Sequence, residues 1–203
     1  MSLLLPEIYR DYEHLLSNEN LIHCLNAILK TLDYDSKKCD MSLYKKDVSS
    51  DYATDRVSEK ALNELMKNGK NVATDDANVI KFNNFQFDNT LRLVASMFKG
   101  QDAAIGISGR TWYPSNGYMG WHTNLDSQGY RLYCAHSREE NKSFFRYRDP
   151  QSGKIITSTD KQGWNFRMFN ITKETPVWHC VYSETDRVSI GFNLIPNSLR
   201  PTL

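Results

Sequence analysis

The second half of this chain is punctuated so regularly that few folds are open to it. From residue 103 onward, short runs of aromatic and β-branched residues alternate with turn sequences at Pro114-Ser-Asn-Gly117, Asp126-Ser-Gln-Gly129, Asp149-Pro-Gln-Ser-Gly153 and Thr185-Asp186. Runs of this length bounded by Gly, Pro, Asn and Asp read as strands. Eight are predicted, at about 104–112, 118–124, 130–137, 143–148, 154–158, 163–171, 177–183 and 187–195. Eight short strands on this spacing fit a jelly roll or a small barrel.

The first hundred residues have a helical texture. Ile8, Tyr12, Leu15 and Leu16, then Leu21, Leu25, Ile28, Leu29 and Leu32, recur at helical spacing across 6–32, with Asn18 or Asn20 placed to cap a second segment. Val57, Leu62, Leu65 and Met66 predict another helix, capped near Thr54-Asp55 and ending at Asn68-Gly69. A third spans 86–98 and stops at Gly100, whereas 33–55 reads as irregular. With no repeat or Gly/Ser linker, the expectation is a mainly β protein with N-terminal helices. Residues 1–100 form a helical scaffold packed on one sheet of a β domain spanning 101–203.

Composition narrows the function classes. A chain of 203 residues, 40% hydrophobic and 24% charged, builds its own core and is neither disordered nor collagenous. No apolar run approaches the ~18 residues of a membrane-spanning helix. The start meets Pro6, Glu7 and Asp11 and lacks a basic leader region, so a cytoplasmic location is expected. Cys24, Cys39, Cys134 and Cys180 lie far apart without a CxxC pair, which argues for ordinary reduced thiols. The net charge of +1 gives no general pull toward nucleic acid or an anionic membrane. Its distribution is uneven: residues 1–100 carry −2, whereas 101–203 carry +3 and hold eight of the arginines and all four tryptophans. Arginine and tryptophan build fixed recognition surfaces, so the chemistry is expected after residue 100.

Two histidines lie in predicted strands beside tryptophan, at Trp121-His122 and Trp178-His179. Strand side chains alternate, so Val177, His179 and Val181 share one face and Trp178, Cys180 and Tyr182 the other. In the last strand Arg187, Ser189, Gly191 and Asn193 share a face opposite Val188, Ile190, Phe192 and Leu194. An arginine and a serine two residues apart, with a glycine leaving space beyond them, can hold a carboxylate from two directions. The segment 131–154 carries a net +3 and is expected mostly on a solvated face; Trp112, Tyr113, Tyr118 and Trp121 read either as a substrate wall near His122 or as core packing.

His122-Thr-Asn124, the hairpin from Ser143 to Gly153, Gly163 to Phe169, Trp178-His179 and Arg187-Val-Ser189 together resemble the iron(II)- and 2-oxoglutarate-dependent dioxygenases, closest to the prolyl-hydroxylase-like branch. The resemblance spans roughly 104–195 and implies an eight-stranded double-stranded β-helix with a 2-His-1-carboxylate metal site. Such a triad leaves one face of the metal open for a 2-oxo acid and O₂. It further implies His122 and His179 as ligands, and Arg187 and Ser189 on the far carboxylate of the small-molecule cosubstrate 2-oxoglutarate. Tyr130 and Tyr133 are candidate cosubstrate contacts that face opposite ways. The family pattern places an acid where this chain has Asn124. Three readings stay open: Asn124 ligates a weakly held Fe(II), with a halide-binding site as a branch of that case; Asp126 supplies the carboxylate; or the site is catalytically silent. Two rivals to the hydroxylase remain. One is a non-catalytic ligand- or protein-binding module on the same fold, and the other a cupin-type metal enzyme, which has little use for Arg187 and Ser189 as a pair.

Overall fold

The computed structural model describes residues 4–32, 39–69, 75–82, 88–98, 103–125 and 128–196. Among the described residues there are four α-helices, α1 (Glu19–Thr31), α2 (Ser50–Arg56), α3 (Glu59–Lys67) and α4 (Asp88–Met97), all within the first hundred positions. Short strands β1 (Tyr9–Asp11), β2 (Cys39–Asp40), β3 (Ala77–Asn78) and β4 (Ile80–Phe82) interleave with them. Eight longer strands follow: β5 (Ala103–Tyr113), β6 (Gly117–His122), β7 (Gly129–Ser137), β8 (Ser143–Arg148), β9 (Ile155–Thr159), β10 (Gly163–Ile171), β11 (His179–Ser183) and β12 (Arg187–Pro196).

All pairings are antiparallel and build two sheets, in the orders β1-β10-β7-β12-β5-β4-β2 and β3-β6-β11-β8-β9. The eight longer strands fall within about two residues of the eight expected from the turn signals. The turns act as hard stops for pairing: Asn116 and Asn141 adopt positive φ, which asparagine tolerates, and Gly153 and Gly163 do so without a Cβ to clash.

The amino-terminal half departs from its sequence reading in three ways. Tyr9–Asp11 is an edge strand on β10, with Tyr9 stacked 4.3 Å from Tyr147, so the helical spacing from Ile8 onward misleads. A 3₁₀ turn at Glu13–Ser17 follows it, and the helix proper begins after Asn18, whose side chain accepts from the Leu21 amide. The helix predicted after Thr54-Asp55 begins at Glu59, and another, Ser50–Arg56, occupies the end of the stretch read as irregular; Ser58 and Ser49 cap them by accepting from the Ala61 and Tyr52 amides. Each such cap stabilises its helix by about 1 kcal/mol.

The helices cover both sheets, where the sequence suggested one. Leu21, Leu25 and Ile28 of α1 and Val94 and Met97 of α4 pack on Leu132, Phe166, Met168, Val188, Ile190, Phe192 and Leu194 of the larger sheet. Ala53 of α2 and Leu62 of α3 pack on Tyr118, Trp121, Trp178, Cys180 and Tyr182 of the smaller one. Both outer sheet faces are apolar, and leaving either in water would forfeit about 25 cal/mol per Å². Between the sheets lies a third cluster, with Tyr113 and Phe169 from one and Phe145, Tyr147 and Val181 from the other. The four cysteines form no disulfide among the described residues, and no helix there is long and apolar enough to cross a membrane.

Candidate metal and carboxylate site

The strand alternation that buries Trp121 and Trp178 outward turns His122 and His179 inward. Trp121 donates its indole N–H to the Ser58 carbonyl at 2.8 Å, tying the outer face of β6 to the start of α3. His122 and His179 are direct cross-strand partners on β6 and β11, and their ring centroids lie 4.0 Å apart. Each ring is pinned by its Nδ1, to the Gly120 carbonyl at 2.8 Å and to the Val177 carbonyl at 2.7 Å. A carbonyl accepts only, so Nδ1 carries the proton in both rings and each Nε2 presents a lone pair. Orienting a ligand imidazole through its other nitrogen is how metal sites fix the tautomer. Burial disfavours the charged rings: it holds the His122 pKa down to about 4, and with help from neighbouring His122 and Arg131 it holds that of His179 well below the usual histidine range.

Asn124 sits next to this pair by a route the alternation rule does not describe. The strand ends at His122, and Asn124 takes a left-handed φ of 52°. The turn, rather than a shared strand face, brings its amide to His179, where Nδ2 donates to Nε2 at 3.2 Å. A cation can reach that lone pair only after this bond breaks. Asp126 lies outside the described residues. Among the described residues no group of three or more His, Cys, Asp or Glu side chains could hold a metal ion. The donor set is therefore two neutral imidazoles and a neutral amide. It fits a divalent cation of borderline softness such as Fe(II), at lower affinity than a site with an anionic ligand.

Deeper between the sheets, Arg187 is 2% exposed. Its Nε donates to Asp160 Oδ2 at 2.8 Å, and its guanidinium lies 5.1 Å over the Tyr113 ring. Its Nη1 is buried without a hydrogen-bond partner, an expensive state for a cationic donor. Asp160, fully buried, also accepts from Arg167 Nη1 at 2.5 Å and from the Ser143 hydroxyl. Burial alone would raise its pKa, but Arg187, Arg167 and Ser143 outweigh that and hold the carboxyl well below the usual range. One buried carboxylate thus answers two guanidiniums, and Arg167 also meets the partly exposed Asp11 at 3.6 Å. Ser189 lies two residues along β12, opposite Thr111 of β5.

These groups line one cavity of about 670 Å³, with His122, Asn124, His179, Arg187 and Ser189 all in its wall. Of the two tyrosines on β7, Tyr133 lines the cavity, whereas Tyr130 packs with the helix-side core. Gly191 is required beside Tyr133, since a Cβ there would fall 2.7 Å from the ring and 2.6 Å from the Ser108 hydroxyl. Of the aromatic residues near His122, Tyr113 lines the cavity, whereas Tyr118 and Trp121 face the helices.

One residue of this wall, Arg131, and one behind it, Asp160, escaped the sequence reading. Asp160 stands in the turn between β9 and β10, where an aspartate is unremarkable and nothing local marks it as buried. Arg131 belongs to the basic segment expected in solvent, yet it is 3% exposed and lines the cavity. Its signal was present: period two puts Arg131 in phase with Tyr133 and out of phase with Leu132 and Cys134, which are core. Arg138 and Lys142 do lie outside, paired with Asp186 and Glu184.

No family model matches the chain, and no curated protein matches it. Solved structures similar to it include a 2OG-Fe(II) oxygenase family oxidoreductase from Burkholderia pseudomallei, at 12% identity and a TM-score of 0.42, covering 58% of this chain and 60% of that protein. A Trichoplax adhaerens prolyl hydroxylase in complex with a hypoxia inducible factor peptide fragment matches at 14% identity and a TM-score of 0.45, covering 92% of this chain and 94% of that one. A Pseudomonas putida prolyl-4-hydroxylase matches at 12% identity and a TM-score of 0.46, covering 87% and 99% respectively. Likenesses this distant assign no chemistry.

Proposed function

We propose that the chain is an iron(II)- and 2-oxoglutarate-dependent dioxygenase that hydroxylates its substrate, with 1–100 as scaffold and 101–203 as a double-stranded β-helix domain. The strand order supports this fold: the eight longer strands divide as β10-β7-β12-β5 and β6-β11-β8-β9, winding back and forth between the sheets. The observation that carries the function is one cavity with two chemically distinct ends. At one end the rings of two histidines, each pinned through Nδ1, lie 4.0 Å apart. At the other stands a buried arginine nitrogen without a partner.

In this reading His122, His179 and Asn124 hold Fe(II), which when bound supplies the activation of O₂ at the expense of 2-oxoglutarate. Arg187, with Ser189 beside it, takes the far carboxylate of the cosubstrate, and a charge-assisted bond of this kind is worth about 1.5–3 kcal/mol. Asp160 and Arg167 fix the Arg187 fork from behind. Tyr133 walls the cavity between the two ends, and the apolar rings of Phe145 and Phe169 against His179 restrict water there. A reducing, cytoplasmic setting is part of the proposal, since it keeps iron ferrous and suits four cysteines that form no disulfide among the described residues.

The test is an anaerobic titration of the metal-free chain with Fe(II) and 2-oxoglutarate. A visible charge-transfer band, lost in His179→Ala, is expected. The neutral Asn124 favours a second reading, a ligand-binding module on the same fold. Absence of the band while small acids still bind would select it.

A further inference from the structure

The acid end accounts for only part of the cavity. A volume of about 670 Å³ lies in the range that encloses a drug-sized molecule, roughly 300–1,000 Å³, so a five-carbon acid leaves room beside it. The remainder reaches out along the short strands. β3 and β4 form one strap, 77–82, that crosses from the smaller sheet to the larger, with Ala77 opposite Met119 of β6 and Lys81 opposite Thr111 of β5. On the far side of the strap, Asp40 of β2 is the direct partner of Lys81. Met119, Thr111, Lys81 and Asp40 all line the cavity.

Three polar groups of this arm stand in one row. Asp40, Lys81, Thr111 and then Ser189 are successive register partners across β2, β4, β5 and β12. At about 4.8 Å per strand, Lys81 stands about 10 Å from Ser189 and the acid end. The bonding of the row is incomplete. Thr111 is 7% exposed, and its hydroxyl has no hydrogen-bond partner among the described residues. Lys81 Nζ has none there either, and no ion pair joins it to Asp40 although the two strands set them face to face. Asp40 is held by its own turn instead, with Oδ1 accepting from the Ser42 amide at 2.9 Å. A buried hydroxyl without a partner is costly, and an acceptor placed beside it restores the lost bond.

Acid, ammonium and hydroxyl side by side match the two charged groups of a free amino acid. A simple anion would meet Lys81 and Thr111 but leave the Asp40 carboxylate facing it, and a simple amine would face Lys81. Arg110 also lines the arm, on the side of the carboxylate-binding groups. The wall toward the histidines is apolar: Met119 and Val181 are register partners, three residues before His122 and two after His179.

We propose that this arm binds a free α-amino acid with an apolar side chain, its carboxylate on Lys81 and Thr111, its ammonium on Asp40, and its side chain along Met119 and Val181 toward the histidines. That the bound amino acid is the molecule hydroxylated rests on the oxygenase reading above; the binding itself does not.

The experiment is calorimetry on the full chain with L-leucine, 4-methylpentanoate, which lacks the amine, and 3-methylbutylamine, which lacks the carboxylate. Leucine is expected to bind, and each analogue about tenfold or more weakly by comparison. Asp40→Asn should weaken leucine by about tenfold and leave 4-methylpentanoate unchanged, whereas Lys81→Gln should weaken leucine without weakening 3-methylbutylamine. Leucine that does not bind the wild-type chain, or binds no better than 4-methylpentanoate, overturns the proposal, and neither comparison needs a variant. Saturating 2-oxoglutarate should leave the affinity for leucine intact; direct competition would place the amino acid at the acid end and overturn the separate arm. If leucine binds but Fe(II) and 2-oxoglutarate give no charge-transfer band, the amino-acid site stands and the oxygenase reading falls. If the band forms and leucine does not bind, the oxygenase reading stands and this proposal falls.

Discussion

Replacing Asp160 with asparagine tests the buried charge cluster that holds Arg187 in place. The shape is nearly unchanged, but two guanidiniums at 2% exposure each lose the carboxylate they share. Breaking a buried pair by removing one partner costs about 3–5 kcal/mol, because the remaining charge is left uncompensated. A domain has only about 5–15 kcal/mol of stability in total, so the loss is large. For a chain of this size it corresponds to a fall in Tm of roughly 6–20 °C. Urea unfolding at pH 7 measures it directly. The pH dependence adds a second signature. The folded-state pKa of Asp160 is depressed, so its stabilisation is fully present above its unfolded value of about 3.9 and disappears as pH falls toward the lower folded value. The gap between wild type and Asp160→Asn should therefore be constant from pH 7 to about 4. Below that it should close by up to about 1.4 kcal/mol per pH unit. A loss under about 1 kcal/mol at pH 7, or a gap that does not change with acid, would refute the idea that this carboxylate is ionised and shared.

Asn124→Asp should tighten Fe(II) binding by about tenfold or more in an anaerobic competition titration, since it adds a hard anionic oxygen beside His179; unchanged affinity would remove Asn124 from the ligand set. Arg187→Ala should abolish 2-oxoglutarate binding and lower stability by about 1.5–3 kcal/mol in urea titrations, because Asp160 loses one charge-assisted bond while keeping Arg167 and Ser143. Arg187→Lys, which keeps the charge but not the fork, should retain the fold and still bind 2-oxoglutarate more weakly; equal affinity in calorimetry would make the fork irrelevant. The metal-free chain should lose stability as pH falls from about 6.5 toward 4, because the folded-state pKa of His122 is depressed to about 4 and the unfolded chain takes up the proton first. His122→Asn should flatten that slope, and an unchanged slope by thermal unfolding would place the acid sensitivity elsewhere.

The eight long strands were legible because turn residues are local: a Gly or Asn that accepts positive φ stops a strand whatever packs on it. The two inward histidines were legible for a similar reason, since period two fixes Trp121 and Trp178 opposite His122 and His179 once either side is known. The same rule placed Arg187 and Ser189 on one face and the helix-packed residues of β12 on the other. It failed at Tyr9–Asp11, where pairing with β10 overrode a helical spacing, and at Asn124, which reaches His179 from a turn. Local pattern could not show that Asp160, 27 residues before Arg187, closes an ion pair with it. Nor could it decide that Arg131 points into the cavity while Arg138 and Lys142 remain in water. Those outcomes depend on which strands become neighbours across the two sheets. Burial and charge pairing are properties of that assembly, whereas turns and alternation belong to a few consecutive residues.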